Sequence, residues 1–211
     1  MGVVVIIPAY NEEKTVSQVV TAALACELVE EVVVVSDGST DRTVEEATAA
    51  GARVISLPEN MGKGAAMHAG IKATGQDVIL FLDGDLLGIT PVHVRRIIEP
   101  VLEDRADMTV GVFGDGRFCT DIAQKIAPHL SGQRALRRSV ITCAPDIGSS
   151  RFGVETLLSK YAEEMGLRVT SVILDDVSHR MKEEKQGFVK GVCARFLMYR
   201  DILRSAKRSR L

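Results

Sequence analysis

Three sets of acidic residues stand directly behind apolar, β-branched runs. Residues 3–7 lead into Pro8-Ala9-Tyr10-Asn11-Glu12, residues 32–35 into Asp37-Gly38-Ser39-Thr40-Asp41, and residues 78–82 into Asp83-Gly84-Asp85. In open α/β sheets ligands bind outside the carboxyl ends of the strands, so these carboxylates are expected to face one crevice. Any single Asp here has a bland explanation, because Asp and Gly serve turns and helix starts for local reasons. As a set they repel one another unless they hold a cation or bind ribose hydroxyls. A divalent ion on a diphosphate resolves that repulsion.

The elements that would position these residues follow from the apolar pattern. Runs at 3–7, 32–35, 54–57 and 78–82 alternate with helix-like segments at 16–28, 43–50 and 65–73. That βαβ rhythm predicts an α/β fold with a mostly parallel, doubly wound sheet. The strands lack polar alternation, which predicts burial on both faces. The second half reads as a helix at 91–102, a strand at 108–112, helices at 120–126 and 154–164, and a strand at 168–174. Residues 189–207 read as a basic amphipathic helix in which Val189, Val192, Phe196, Tyr199 and Leu203 would make one apolar stripe. No repeat or linker interrupts the 211 residues, which are read as one domain over 1–211.

Several function classes are disfavoured. The formal net charge of -2 gives no global reason to expect nucleic-acid binding. Cys26, Cys119, Cys143 and Cys193 form no C-x-x-C pair, and a reducing cytoplasm fits them best. The first apolar run is too short for a signal peptide and lacks its basic leader, and no stretch reaches the roughly 18 apolar residues of a membrane span. A cytoplasmic protein is expected, at most peripheral to a membrane. Gly62-Lys63-Gly64 lacks the upstream Gly and the following Ser or Thr of a P-loop. Met67 stands where a dinucleotide fingerprint wants Gly.

With these exclusions made, residues 7–13, 36–41, 60–64 and 83–85 resemble, in order and spacing, the successive motifs of family-2-like GT-A glycosyltransferases. The resemblance spans the first ninety residues and implies that 1–90 bind a nucleoside-diphosphate sugar, UDP- or GDP-linked. It implies that Pro8, Ala9, Tyr10, Glu12 and Asp37 line base and ribose and that Lys63 lies beside the nucleotide. Asp83, Gly84 and Asp85 would form the DxD motif, with Asp85 as metal ligand for Mn²⁺ or Mg²⁺.

The second half, 91–211, is similar to the narrower group of glucosyl-3-phosphoglycerate synthases and would bind the acceptor. Leu130-Ser131-Gly132-Gln133-Arg134-Ala135 resembles that group's Leu-Ala-Gly-Glu-Tyr-Ala stretch, departing at Gln133 and Arg134. Phe152-Gly153-Val154-Glu155 resembles its Tyr-Gly-Val-Glu, and Asp176-Val177-Ser178-His179 a segment ending in a metal-binding His. The resemblance thus implies Glu155 and Asp85 as catalytic residues and Ser131, Gly132, Gln133, Arg134 and Arg151 as sugar and acceptor contacts. His179 becomes a second metal ligand, whereas His68, His93 and His129 sit in no motif and are expected on the surface or a helix face. Glu155 also has a local reading as a charge favouring a helix N-terminus.

The expected reaction is metal-dependent transfer of a glycosyl group to a small phosphorylated or lipid-linked acceptor. The basic helix at 189–207 raises the alternative of a polyprenyl-phosphate acceptor at the membrane surface, with peripheral membrane contact. A homodimer is among the expected assemblies. A sugar-phosphate nucleotidyltransferase is the rival enzyme, but it would want a Gly-rich, Arg-containing loop where Pro8-Ala9-Tyr10-Asn11-Glu12 stands. A non-catalytic nucleotide-binding protein would be expected to lose Asp83 and Asp85.

Overall fold

The computed structural model describes residues 1–114, 131–144, 147–149 and 153–179. The expected helices at 120–126 and 189–207, along with Arg151 and His129, lie outside the described residues. The chain divides into two compact units, Met1–Ser178 and His179–Leu211. The first unit holds the large sheet and every described helix.

Nine strands and six α-helices are described. In chain order they are β1 (Val3–Ala9), α1 (Val16–Leu24), β2 (Glu31–Ser36), α2 (Thr43–Ala49), β3 (Arg53–Ser56) and α3 (Lys63–Lys72). Then come β4 (Val78–Phe81), β5 (Leu86–Leu87), α4 (Pro91–Leu102), β6 (Met108–Phe113) and β7 (Arg134–Arg137). The chain continues through α5 (Arg138–Cys143), a 3₁₀ turn (Ile147–Ser149), α6 (Val154–Glu164), β8 (Val169–Leu174) and β9 (Ser178–His179).

Seven strands form one sheet in the order β3-β2-β1-β4-β7-β6-β8, and β5 pairs with β9 in a second, two-stranded sheet. β1 is parallel to β2 and β4, β2 to β3, and β6 to β8. β7 alone runs antiparallel, with Phe81 opposite Arg134 on one side and Val110 opposite Arg134 on the other. The sheet is therefore mostly parallel, as expected.

Alternation of side chains sorts the strand residues into two cores, one on each face of the sheet. Val3, Val5 and Ile7 of β1 join Val32, Val34, Val78 and Leu80 beneath α1 and α4. Val4 and Ile6 join Val33, Val35, Ile79 and Phe81 beneath α3 and α6. Burial on both faces thus holds for β1, β2 and β4. It fails for β3, whose end residues Arg53 and Ser56 are exposed, because β3 closes the sheet on one side and has a neighbour only on the other. A Cβ on Gly70 would lie 2.5 Å from Ile6 Cγ2, so glycine lets α3 lie flat on β1. That approach sets where the first residue of α3, Lys63, points.

Candidate active site

The loops behind β1 and β2 are stitched to each other before any ligand is considered. Asn11 N–H donates to Ser39 Oγ (3.1 Å), Thr40 N–H to Asn11 Oδ1 (2.9 Å), and Glu12 N–H to Thr43 Oγ1 (2.8 Å). Asp41 accepts from the Thr43 and Glu13 N–H groups and acts as the cap of this junction, the bland role open to it from sequence. Both oxygens of Asp37 accept backbone N–H bonds, from Met61 and Gly62, each at 2.8 Å. Asp37 therefore folds the segment behind β3 back toward the nucleotide-motif loops and fixes the approach to α3. Gly38, at φ 69°, allows this, since a Cβ there would meet the backbone of Glu59 and Asn60 at 2.6 Å.

Pro8, Ala9 and Tyr10 line the outlet of β1, with Ala9 buried and Tyr10 exposed. The turn Asp83-Gly84-Asp85 packs against this outlet. Thr15 Oγ1 donates to the Gly84 carbonyl (2.8 Å), and a Cβ on Gly84 would come to 3.3 Å from Ala9 Cβ. Thr15 was not among the residues singled out from sequence, because its role depends on a partner 69 positions away.

A cluster of charge lies where α3, β4, β7 and α6 meet. Lys63 Nζ donates to Asp83 Oδ1 at 2.6 Å and also contacts Glu155 Oε1. The second oxygen of Asp83 accepts from Gln133 Nε2 (2.9 Å), whose own Oε1 accepts from Ser131 Oγ (2.8 Å). Ser131 Oγ also lies against the Gly111 carbonyl of β6. Gly132 lies so close that a Cβ would come within 2.7 Å of Lys63 Nζ and into the Asp83 carboxylate. Burial works against the Lys63 ammonium, but attraction and hydrogen bonds from Asp83 and Glu155 outweigh it and raise its pKa above the ordinary lysine value. Lys63 stays charged through neutral pH.

Glu155 is the second residue of α6, behind Gly153 in the left-handed conformation. Its local role at a helix start and its contact with Lys63 coexist. Arg134 departs from its expected role as a sugar or acceptor contact: it is the first residue of β7 and is 1% exposed. Strand pairing turns it inward, where its Nε donates to the Ser131 carbonyl (2.8 Å) and its Nη1 approaches Met108 Sδ (3.9 Å). Burial pulls its pKa down to about 10, opposed by the charge of Glu155. Gln133 is likewise fully buried. The expected contact stretch thus divides into a tight turn that grips Asp83, Ser131 to Gln133, and a strand residue that supports the turn from below, Arg134.

Asp83 and Asp85 each offer one ligand oxygen, and these atoms lie within 4.8 Å of one another. Two carboxylate oxygens are donors that Mn²⁺ or Mg²⁺ accepts. His179, the other expected ligand, is the first residue of the second compact unit. His68 and His93 stand apart. His93 is buried on α4, where its Nδ1 accepts the Thr90 N–H in the capping box that opens that helix.

Comparison with known proteins matches residues 4–156 to the family Glycosyl transferase family 2. Glucosyl-3-phosphoglycerate synthase of Mycobacterium tuberculosis (strain H37Rv) is 31% identical over 215 residues, covering 83% of this chain and 66% of that protein. The chain thus spans just under two thirds of the length of that curated relative. Undecaprenyl-phosphate 4-deoxy-4-formamido-L-arabinose transferase of Pseudomonas aeruginosa is 36% identical over 105 residues, 45% of this chain and 31% of that one. Among solved structures, glucosyl-3-phosphoglycerate synthase from M. tuberculosis in complex with Mn²⁺, UDP-glucose and phosphoglyceric acid superposes with a TM-score of 0.70. It is 30% identical and covers 85% of this chain and 72% of that one.

Proposed function

Because this chain belongs to Glycosyl transferase family 2, we propose that it transfers a glycosyl group from a nucleoside-diphosphate sugar, with Mn²⁺ or Mg²⁺, to a small phosphorylated acceptor. The observation that carries the reading is the meeting of Lys63, Asp83, Gln133 and Glu155 at one point, beside the carboxylate pair of Asp83 and Asp85. It brings the nucleotide-motif half and the acceptor-like half of the chain into direct contact. The GT-A sheet supplies the frame, and the likeness to a synthase solved with UDP-glucose and phosphoglyceric acid supports UDP-glucose as donor and a phosphorylated three-carbon acid as acceptor.

The roles follow from position. Pro8, Ala9, Tyr10 and Glu12 follow β1, where base and ribose would lie, and Asp37 pins Met61 and Gly62 beside them. When bound, the metal would neutralise charge on the departing diphosphate as a Lewis acid, held by Asp85 and His179. Lys63 supplies a positive charge beside the nucleotide, which would stabilise a developing diphosphate anion. Glu155 is placed to orient an acceptor hydroxyl or a sugar hydroxyl, and Gln133 and Ser131 hold Asp83 in register. Ser131, the part-exposed residue of the turn, would meet the sugar, while buried Gly132 and Gln133 fix Asp83 and Arg134 buttresses the turn. Arg151, outside the described residues, completes the proposed acceptor set. Protein of this kind is expected in the cytoplasm; no described helix is long and apolar enough to cross a membrane.

UDP affinity measured by isothermal titration, with and without Mn²⁺, tests the reading in wild type and Asp85→Ala. Wild type should bind UDP at least about tenfold more tightly with Mn²⁺, a gain of roughly 1.4 kcal/mol, and Asp85→Ala should lose the gain. Equal affinities in all four conditions would falsify the metal-assisted site. Release of UDP from UDP-glucose on addition of 3-phosphoglycerate, compared with a polyprenyl phosphate, then identifies the acceptor class.

A further inference from the structure

Lys63 holds two carboxylates that the proposed chemistry needs for other tasks. Its ammonium is 2.6 Å from Asp83 Oδ1 and touches Glu155, while Gln133 donates to the remaining oxygen of Asp83. Yet Asp83 also stands with Asp85 as a donor for the divalent metal. A carboxylate oxygen facing an ammonium is a poor ligand for a second cation. Two positive charges a few ångströms apart also repel strongly, even at the effective dielectric of a partly exposed site. In the ligand-free state the site therefore already contains a cation, and that cation belongs to the protein.

We propose that the Lys63 ammonium is a resident counter-ion that keeps Asp83 from a divalent metal until a diphosphate arrives. This rests on the nucleotide-sugar reading above and adds an order of events to it. The anionic oxygens of a diphosphate are stronger partners for an ammonium than a single carboxylate already shared with Gln133. They draw Lys63 off Asp83 and leave that carboxylate free to join Asp85 on the metal. Metal and nucleotide then bind with mutual reinforcement, since whatever the nucleotide does for metal affinity the metal must do for nucleotide affinity. Gly132 makes the arrangement feasible, because any side chain there would occupy the space in which Lys63 and Asp83 meet.

The test is Mn²⁺ binding to nucleotide-free protein, followed by electron paramagnetic resonance of the free ion. Lys63→Met should bind Mn²⁺ about tenfold more tightly than wild type, because a repelling charge is removed and Asp83 is released. Lys63→Arg keeps the charge and should stay within about twofold of wild type. Adding Asp85→Ala to Lys63→Met should abolish the gain, which ties the ion to this site. If Lys63→Met does not fold with Asp83 and Glu155 uncompensated, Lys63→Met with Glu155→Gln should still exceed Glu155→Gln alone by about tenfold. Affinity in the Lys63→Met proteins equal to or weaker than their parents overturns the proposal. Loss of this gain while Mn²⁺ still assists UDP binding in wild type counts against Lys63 alone. Equal UDP binding with and without Mn²⁺ counts against the donor reading.

Discussion

At Gly132 the backbone passes so near Lys63 and Asp83 that a Cβ would lie 2.6 Å from Asp83 Oδ1 and 2.7 Å from Lys63 Nζ. Gly132→Ala must push the ion pair apart. Overpacking of this kind costs about 1–3 kcal/mol, so the protein should remain folded with a modestly lower Tm while kcat/KM falls by at least about tenfold. A variant with wild-type turnover would show that the pair has no catalytic weight. Glu155→Gln probes the other end of the contact: it keeps the shape of the side chain but removes the charge facing Lys63. UDP affinity should hold within about threefold while kcat drops by about 100-fold or more, and parallel loss of both would assign Glu155 to donor binding instead. The residue types needed for this chemistry are legible in the sequence. Their pairing is not: Lys63 and Glu155 stand 92 positions apart, and nothing local to either announces the other.

Among the elements, β6 and β8 pair in parallel, and their amino-terminal ends are tied by Arg168. Its guanidinium bonds both oxygens of Asp107 and reaches Asp104. These hydrogen bonds, with one from the Arg168 N–H, hold the Asp107 carboxyl down at about 2, and Asp104 is lowered by the same side chain. A carboxylate whose folded pKa is depressed stabilises the fold above its unfolded value near 3.8 and ceases to do so as pH falls through about 2. The groups are exposed to solvent, so the contribution is small. Thermal melts between pH 5 and 2 should show wild type losing this increment and Arg168→Ala lacking it from the start. Parallel curves would mean that the tie is cosmetic. β8 itself was readable from its apolar run, as were β1, β2, β4, β6 and α4. β7 was not, because Arg134-Ala135-Leu136-Arg137 is short, charged at both ends and strand-like only by virtue of the neighbours it finds in β4 and β6. The same short strand explains why Arg134 looked like a loop contact and is instead buried.

For the molecule as a whole, the first ninety residues read in order as βαβ units, and motif and strand end coincide. The later half reaches the site by longer paths, which is why its residues were identified by resemblance rather than by pattern. Strand β7 makes the difference concrete, since it stands between β4 and β6 and joins the four strands on one side to the two on the other. Ser131, Gly132 and Gln133, which grip Asp83, directly precede it. During folding, β1, α1, β2 and α2 can associate through short chain closures, whereas β7 must cross back to β4 from more than fifty positions away, at a larger entropic cost. The grip on Asp83 cannot precede that crossing. Stopped-flow refolding should therefore show far-UV ellipticity returning before Mn²⁺-dependent UDP binding, and binding in the first resolved phase would contradict the order. A partly folded chain of this kind would carry the residues of the proposed donor site but no assembled centre, so in a cell it would neither sequester the nucleotide nor squander it by hydrolysis before β7 is in place.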